Sequence, residues 1–211
     1  MIPFLFLLYI VAYLDRVNVG FASLDMNRDL SFSAAVYGLG SGIFFLSYTL
    51  LEVPSNLMLA RVGARLWIAR IMFTWGALSI AMIFVDSPVR FYVIRFLLGA
   101  AEAGFFPGII LYLTQWFPQR ERARAVGLFM TATAMAGVIG APLSSALLRM
   151  DGALSMRGWQ WLFIIEGIPA ILLVPVVLIY MTEHPKDATW LRADEREWLV
   201  REMAAEQTEN S

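Results

Sequence analysis

Cysteine is absent from this chain, and histidine occurs once, as His184. The first absence excludes disulfide frameworks, thiolate nucleophiles and Cys-based metal sites. The second leaves no imidazole cluster for a metal and no base for a His-dependent triad. Charge is scarce as well: 16% of the residues are charged, where a soluble domain carries about a quarter. The net charge of -1 gives no basic surplus for nucleic acid. What fills the chain is apolar, 59% of its 211 residues, with a mean hydropathy of +0.66. One globular core cannot bury that much apolar surface, so the chain requires lipid as part of its solvent.

Strand-like alternation is also missing, which argues against a β-barrel. Instead the chain divides into runs of the ~20 apolar residues that cross a bilayer as a helix. Six are predicted, over about Met1–Ala22, Ala35–Ala60, Ile68–Val85, Phe91–Phe117, Ala125–Leu148 and Trp159–Met181. The opening is no signal peptide, because no basic segment precedes the run Phe4–Ala12 and no cleavage site follows it. It also lacks a polar stub, which predicts a true start further upstream. Arginine clusters in the second-to-third connection (Arg61, Arg65, Arg70) and in the fourth-to-fifth (Arg120, Arg122, Arg124). Short basic loops stay cytoplasmic. The amino terminus and the segment after the sixth span are therefore expected inside an inner (cell) membrane.

Residues 1–183 read as one transmembrane unit and 184–211 as a cytoplasmic linker. The linker is charged, with Leu191, Trp198, Leu199 and Met203 fitting one face of an amphipathic helix and a disordered end from Glu206. Gly38 to Gly42 could suggest a phosphate loop or a protease serine at Ser41. No strand precedes it, however, and Leu39 breaks the protease spacing. Close helix packing through Gly38 and Gly42 is the simpler expectation, and the same holds for Gly104 and Gly108. Trp159 and Trp161 fit an interfacial belt.

The informative residues are charges inside the spans, which are costly in lipid and mark functional sites by default. They are Asp15, Arg16, Glu52, Arg95, Glu102 and Glu166. Arg95, Gly99 and Glu102 share one helix face, with the cation and acid about 10 Å apart along the axis. Arg16 points about 100° round from Asp15. Structural readings compete. Asp15 and Arg95 could be a pair tying the first span to the fourth. Glu52, beside Pro54 and Asn56, is expected to pair with arginines at the span's inner end. For Glu166, ahead of Gly167 and Pro169, capping or packing serves as well as transport.

These residues carry a resemblance. Tyr13-Leu-Asp-Arg-Val-Asn-Val-Gly-Phe-Ala22, Glu52-Val-Pro-Ser-Asn56 and Arg61-Val-Gly-Ala-Arg65 resemble the anion:cation symporter branch of the major facilitator superfamily. So do Arg95 through Gly108 and Gly158 through Pro169. Within the branch the chain is most similar to bacterial tartrate-type and aromatic-acid permeases. It departs from the superfamily's second-to-third loop motif at Asn56, Ala60 and Ala64, so the salt bridge usually made by that loop's Asp is not implied.

The resemblance implies an all-α membrane protein: six transmembrane helices built as a 3+3 inverted repeat, half of a major facilitator fold. It implies a partner, the missing carboxy-terminal six-helix half. It also implies proton symport of a small carboxylate across the lipid bilayer, without enzymatic activity or cofactor. Tyr13, Arg16, Tyr48 and Arg95 would bind substrate, and Asp15 and Glu102 would carry the coupled proton. The rival readings are a carrier of neutral substrates and a membrane scaffold without transport.

Overall fold

The computed structural model of the chain describes residues 1–209. Its elements are α1 (Ile2–Leu30), α2 (Ala34–Val62), α3 (Ala64–Ala81, continued by a 3-10 turn Met82–Phe84), α4 (Pro88–Glu102) and α5 (Phe105–Trp116). They continue with α6 (Gln119–Leu148), α7 (Gly158–Tyr180) and α8 (Ala193–Glu209). No strand occurs among the described residues. Six stretches are long and apolar enough to cross a membrane, with α4 and α5 together making the fourth.

Local chemistry sets most boundaries. Ser33 caps α2 by accepting from the Val36 N–H at 3.3 Å, and Ser87 does the same for α4 through Arg90 N–H at 3.4 Å. Pro88 opens α4 at a position where no N–H is needed. α1 runs eight residues past the expected Ala22, ending at Leu30. Hydropathy falls at Asp25, Arg28 and Asp29, but these charges pair with one another as the helix leaves the apolar zone.

The fourth span departs from the expected continuous helix. It breaks at Ala103 and Gly104, where Gly104 takes φ +86°. A side chain would be strained there, and it would also collide with Ser55 Oγ of α2. Pro107 lies in the first turn of α5, where its missing N–H costs nothing.

The packing carries an internal symmetry. The strongest pairs are α3 with α7, α2 with α4, and α1 with α6, followed by α1 with α7 and α3 with α4. Exchanging spans one to three for spans four to six maps α1–α6 onto α4–α2 and α1–α7 onto α4–α3. The α3–α7 pair maps onto itself. This is the contact pattern of a 3+3 repeat. Gly76 and Gly167 stand at the centre of that self-paired contact, each where an added Cβ would lie 2.9 Å from the other's carbonyl oxygen.

One end of the bundle gathers both arginine-bearing connections and the tail. Glu183 accepts from Ala64 and Arg65 N–H, both at 2.9 Å, Tyr112 donates to Thr182 O at 2.8 Å, and Arg122 lies 3.6 Å from Glu206. At the opposite end Asp29 receives Trp159 Nε1 and Arg157, both at 3.1 Å.

Trp159 is therefore buried rather than part of an interfacial belt. α8 extends through Glu209, where a disordered end had been expected from Glu206; residues 210 and 211 lie outside the described residues. Leu199 and Met203 pack partly inward while Trp198 stays exposed. Trp190, ahead of α8, does the docking, stacking 5.5 Å from Trp116 and 6.4 Å from Tyr180. Gly38 and Gly42 meet nothing within 4 Å; Gly40, between them, packs against the Phe91 ring.

Candidate functional site

The intramembrane charges separate into two groups on opposite sides of α1. On one side Arg16 donates from Nε and Nη2 to a single oxygen of Glu102, at 3.1 and 2.7 Å. Glu102 sits at the last residue of α4, just before the helix break, and is 1% exposed. Its other oxygen, Oε1, is buried without a partner. The Arg16 side chain is 24% exposed, so the pair reaches solvent on the arginine side and not at the acid. The Tyr48 ring of α2 lies 4.9 Å from Arg16 Cζ, a cation–π contact. Gly99 lets α4 approach this close, since a Cβ there would collide with the Phe44 carbonyl and Ser47 Oγ of α2.

Arg95 lies two turns before Glu102 on the same face. It is 2% exposed and its Cζ lies 4.3 Å over the Phe44 ring. Among the described residues it makes no ion pair within 4 Å, and its Nε has no partner. A buried guanidinium so poorly paired is costly. The structural pair considered between Asp15 and Arg95 does not form; Arg16 and Glu102 tie the first span to the fourth instead.

On the other side of α1, Asp15 is fully buried and turned toward α3. It accepts from Trp75 Nε1 at 2.6 Å, from Asn18 Nδ2 at 3.0 Å, and from Ser79 Oγ. Glu166 of α7, 4% exposed, receives Ser144 Oγ at 3.4 Å and faces the Asn18 side chain, and its Oε2 has no partner within hydrogen-bond distance. Tyr13 is half-buried and packs near Tyr9, with ring centroids 6.3 Å apart. Glu52 is half-buried; among the described residues it forms none of the expected ion pairs with arginine.

Arg16, Tyr48, Glu102 and Arg95 thus gather along one wall, Asp15 lies behind it, and Tyr13 stands to one side. Sequence reasoning missed Trp75, Ser79 and Asn18, the donors that fix Asp15. Asn18 was legible three residues on from Asp15, one turn along the same helix. Trp75 and Ser79 carry no sequence signal, because an apolar span with one Trp and one Ser looks like packing. It also missed Glu183, which supplies a carboxylate at the start of α3 where the loop itself has none.

A six-span helical bundle with repeat symmetry and a half-open wall of opposite charges is the architecture of a membrane carrier domain. The chain matches the Major Facilitator Superfamily over residues 5–204 and belongs to that family. It is 59% identical over 206 residues to an Agrobacterium vitis protein named "Putative tartrate transporter", a match covering 98% of this chain and 48% of that protein. It is 46% identical to a "Quinolone resistance transporter" of Acinetobacter baumannii, covering 99% of this chain and 48% of that one. The chain spans about half the length of these curated relatives. In fold it superposes on a crystal structure of a bacterial homolog of the human lysosomal transporter Spinster, with a TM-score of 0.79 at 24% identity, covering 89% of this chain and 45% of that one.

Proposed function

We propose that the chain works as the amino-terminal half of a secondary transporter of the anion:cation symporter type, carrying a small hydroxy-acid or sugar-acid carboxylate together with a proton. The observation that carries this reading is the Arg16–Glu102 pair: a buried acid occupying a partly exposed arginine. A substrate carboxylate wants the same planar donor fork. While Glu102 is ionised it competes for Arg16. Once protonated, it releases the guanidinium, and the substrate takes its place through charge-assisted hydrogen bonds. Proton and anion then favour each other's binding, which is a coupling free energy between two sites. Tyr48 would shape the substrate side of Arg16, and Arg95 would add cationic field behind it. The relative named for tartrate supports the anion class; the one named for quinolone resistance keeps a wider cargo in view.

The need for a second half rests on exposure. Of the apolar cores of α2 and α6, 17% and 22% are buried, against 50% for α1 and 61% for the α4–α5 span. Both exposed helices carry glycines with open space above them, Gly38 and Gly42 on α2 and Gly127 and Gly137 on α6. Small residues admit close helix approach in lipid, so these faces suit the opposing half. The end bearing Arg61, Arg65, Arg122 and Arg124 is assigned to the cytoplasm of an inner membrane by the positive-inside rule.

The test is uptake into liposomes under a pH gradient. The complete two-half transporter should accumulate tartrate or a related acid, lose that accumulation when a protonophore collapses the gradient, and ignore the neutral amide. The chain 1–211 by itself should accumulate nothing. Equal uptake of acid and amide would return the site to a neutral-substrate carrier, and uphill uptake by the chain by itself would overturn the half-transporter reading.

A further inference from the structure

Behind the Arg16–Glu102 wall, Asp15 and Glu166 form a second acidic centre that the substrate reading does not use. It lies where α1, α3, α6 and α7 meet, with Asp15 and Asn18 from α1, Trp75 and Ser79 from α3, Ser144 from α6 and Glu166 from α7. Asp15 is fully buried, Asn18 is 1% exposed and Glu166 4%. Asn18 binds Asp15 and also faces the Glu166 carboxylate, which feels the charge of Asp15. No Lys or Arg lies within ion-pair distance of either acid among the described residues. The charged groups that reach Asp15 from the neighbouring α4 are Glu102 and Arg95, and neither bonds to it.

We propose that Asp15 and Glu166 are one proton-holding pair, with the proton resident on Glu166 while Asp15 accepts its three hydrogen bonds. Two adjacent buried carboxylates without a cation cannot both stay ionised. The hydrogen-bond inventory says which one carries the proton. An ionised carboxylate only accepts, at about four lone-pair sites. Asp15 is supplied with three close donors, whereas Glu166 has the long contact from Ser144 and the Asn18 amide that Asp15 already engages. Two acceptors are orphaned in the same place, Glu166 Oε2 and Asn18 Oδ1. The Asn18 amide gives one N–H to Asp15 and turns its other toward Glu166, and Ser144 is spent on Glu166 Oε1, so no neighbouring donor is left for Asn18 Oδ1. A carboxylic acid at Glu166 is itself a donor, and Asn18 Oδ1 is the free acceptor beside it. Buried acceptors seldom go unpaired, and one proton removes the conflict. A sodium ion fits less well, since Trp75 presents an N–H to Asp15 Oδ2 and an N–H donor repels a cation.

The test needs no substrate, so its failure is separable from failure of the transport reading. Infrared spectroscopy of the chain in lipid bilayers at neutral pH reads the carbonyl stretch of protonated carboxyl groups, and carbon-13 labelling of glutamate assigns it. A glutamate band is expected in the unaltered protein and in Glu102→Gln, lost in Glu166→Gln, with a pH range that moves in Asp15→Asn. If Glu166→Gln fails to assemble, the labelled Glu102→Gln protein decides, because Glu166 is then the one fully buried glutamate left among the described residues. Absence of a glutamate band in that protein overturns the proposal. So does a band untouched by Glu166→Gln or unmoved by Asp15→Asn, or one removed by sodium chloride but not by choline chloride.

Discussion

Arg16 and Glu102, 86 positions apart in the chain, meet through two hydrogen bonds to one carboxylate oxygen while the other oxygen stays buried and unpartnered. The pair joins the middle of the first span to the break in the fourth. It holds a buried acid that can gain a proton and a cation, about a quarter exposed, that would then be released.

Replacing Glu102 with Gln keeps the shape of the side chain but removes its titration. In the complete transporter, proton-driven accumulation should be abolished while substrate exchange down its own gradient survives. Parallel liposome assays of uphill uptake and counterflow measure the two. Unchanged accumulation with an unchanged pH profile would make Glu102 a structural partner of Arg16 and nothing more.

Arg16→Lys keeps the charge and loses the fork. Ammonium is a hydrated point charge that cannot reproduce two parallel bonds. Losing one charge-assisted bond costs about 1.5–3 kcal/mol, roughly a ten- to hundredfold rise in Kd at about 1.4 kcal/mol per decade. Binding of the acid and of its amide, measured by calorimetry on both proteins, should show the acid losing its preference. An undiminished preference would remove Arg16 from the substrate contact.

Two glycines, one packed and one open, separate packing from permissive positions. Gly99→Ala places a Cβ into the Phe44 carbonyl and Ser47 Oγ of α2, whereas Gly38→Ala meets nothing within 4 Å. Overpacking of this kind costs about 1–3 kcal/mol, while alanine in a helix interior gains up to about 1 kcal/mol over glycine. Thermal unfolding of the chain in detergent should show a lowered Tm for Gly99→Ala and an equal or raised one for Gly38→Ala. The reverse order would contradict the α2–α4 contact.

Glu183 closes the start of α3 through two backbone N–H groups. Gln in its place keeps one acceptor and loses the charge that complements a helix amino terminus. A loss of about 0.5–2 kcal/mol is expected, the range for removing a helix cap. Hydrogen exchange should read it as faster exchange at Ala64 and Arg65, with the centre of α3 unaffected. Protection unchanged at those two amides would mean that the contact contributes nothing to holding the tail against the loop.

The absence of cysteine makes topology directly accessible. A single Cys at position 122 should react with an impermeant reagent in inverted membrane vesicles and stay unlabelled in intact cells. One placed at position 153 should do the opposite, since Ala153 lies at the far end of the bundle beside the Arg157–Asp29 pair.

The sequence by itself determined the six spans, their grouping at two ends and the residues worth watching. Length and hydropathy are local quantities, and an ionisable side chain in lipid is conspicuous wherever it stands. Tertiary structure decided the partners. Asp15 and Arg16 are neighbours in the chain, but the helical turn between them sends one to Trp75 and Ser79 on α3 and the other to Glu102 on α4. No local pattern states which helix will lie on which side. The break at Gly104 was equally hidden, because an apolar run reads as helix until packing shows a left-handed glycine seated against Ser55 of another span. The pairing of Glu166 with Ser144, and the donors it lacks, exist only where four helices meet, since hydrogen-bond satisfaction belongs to the packed interior and not to any one segment.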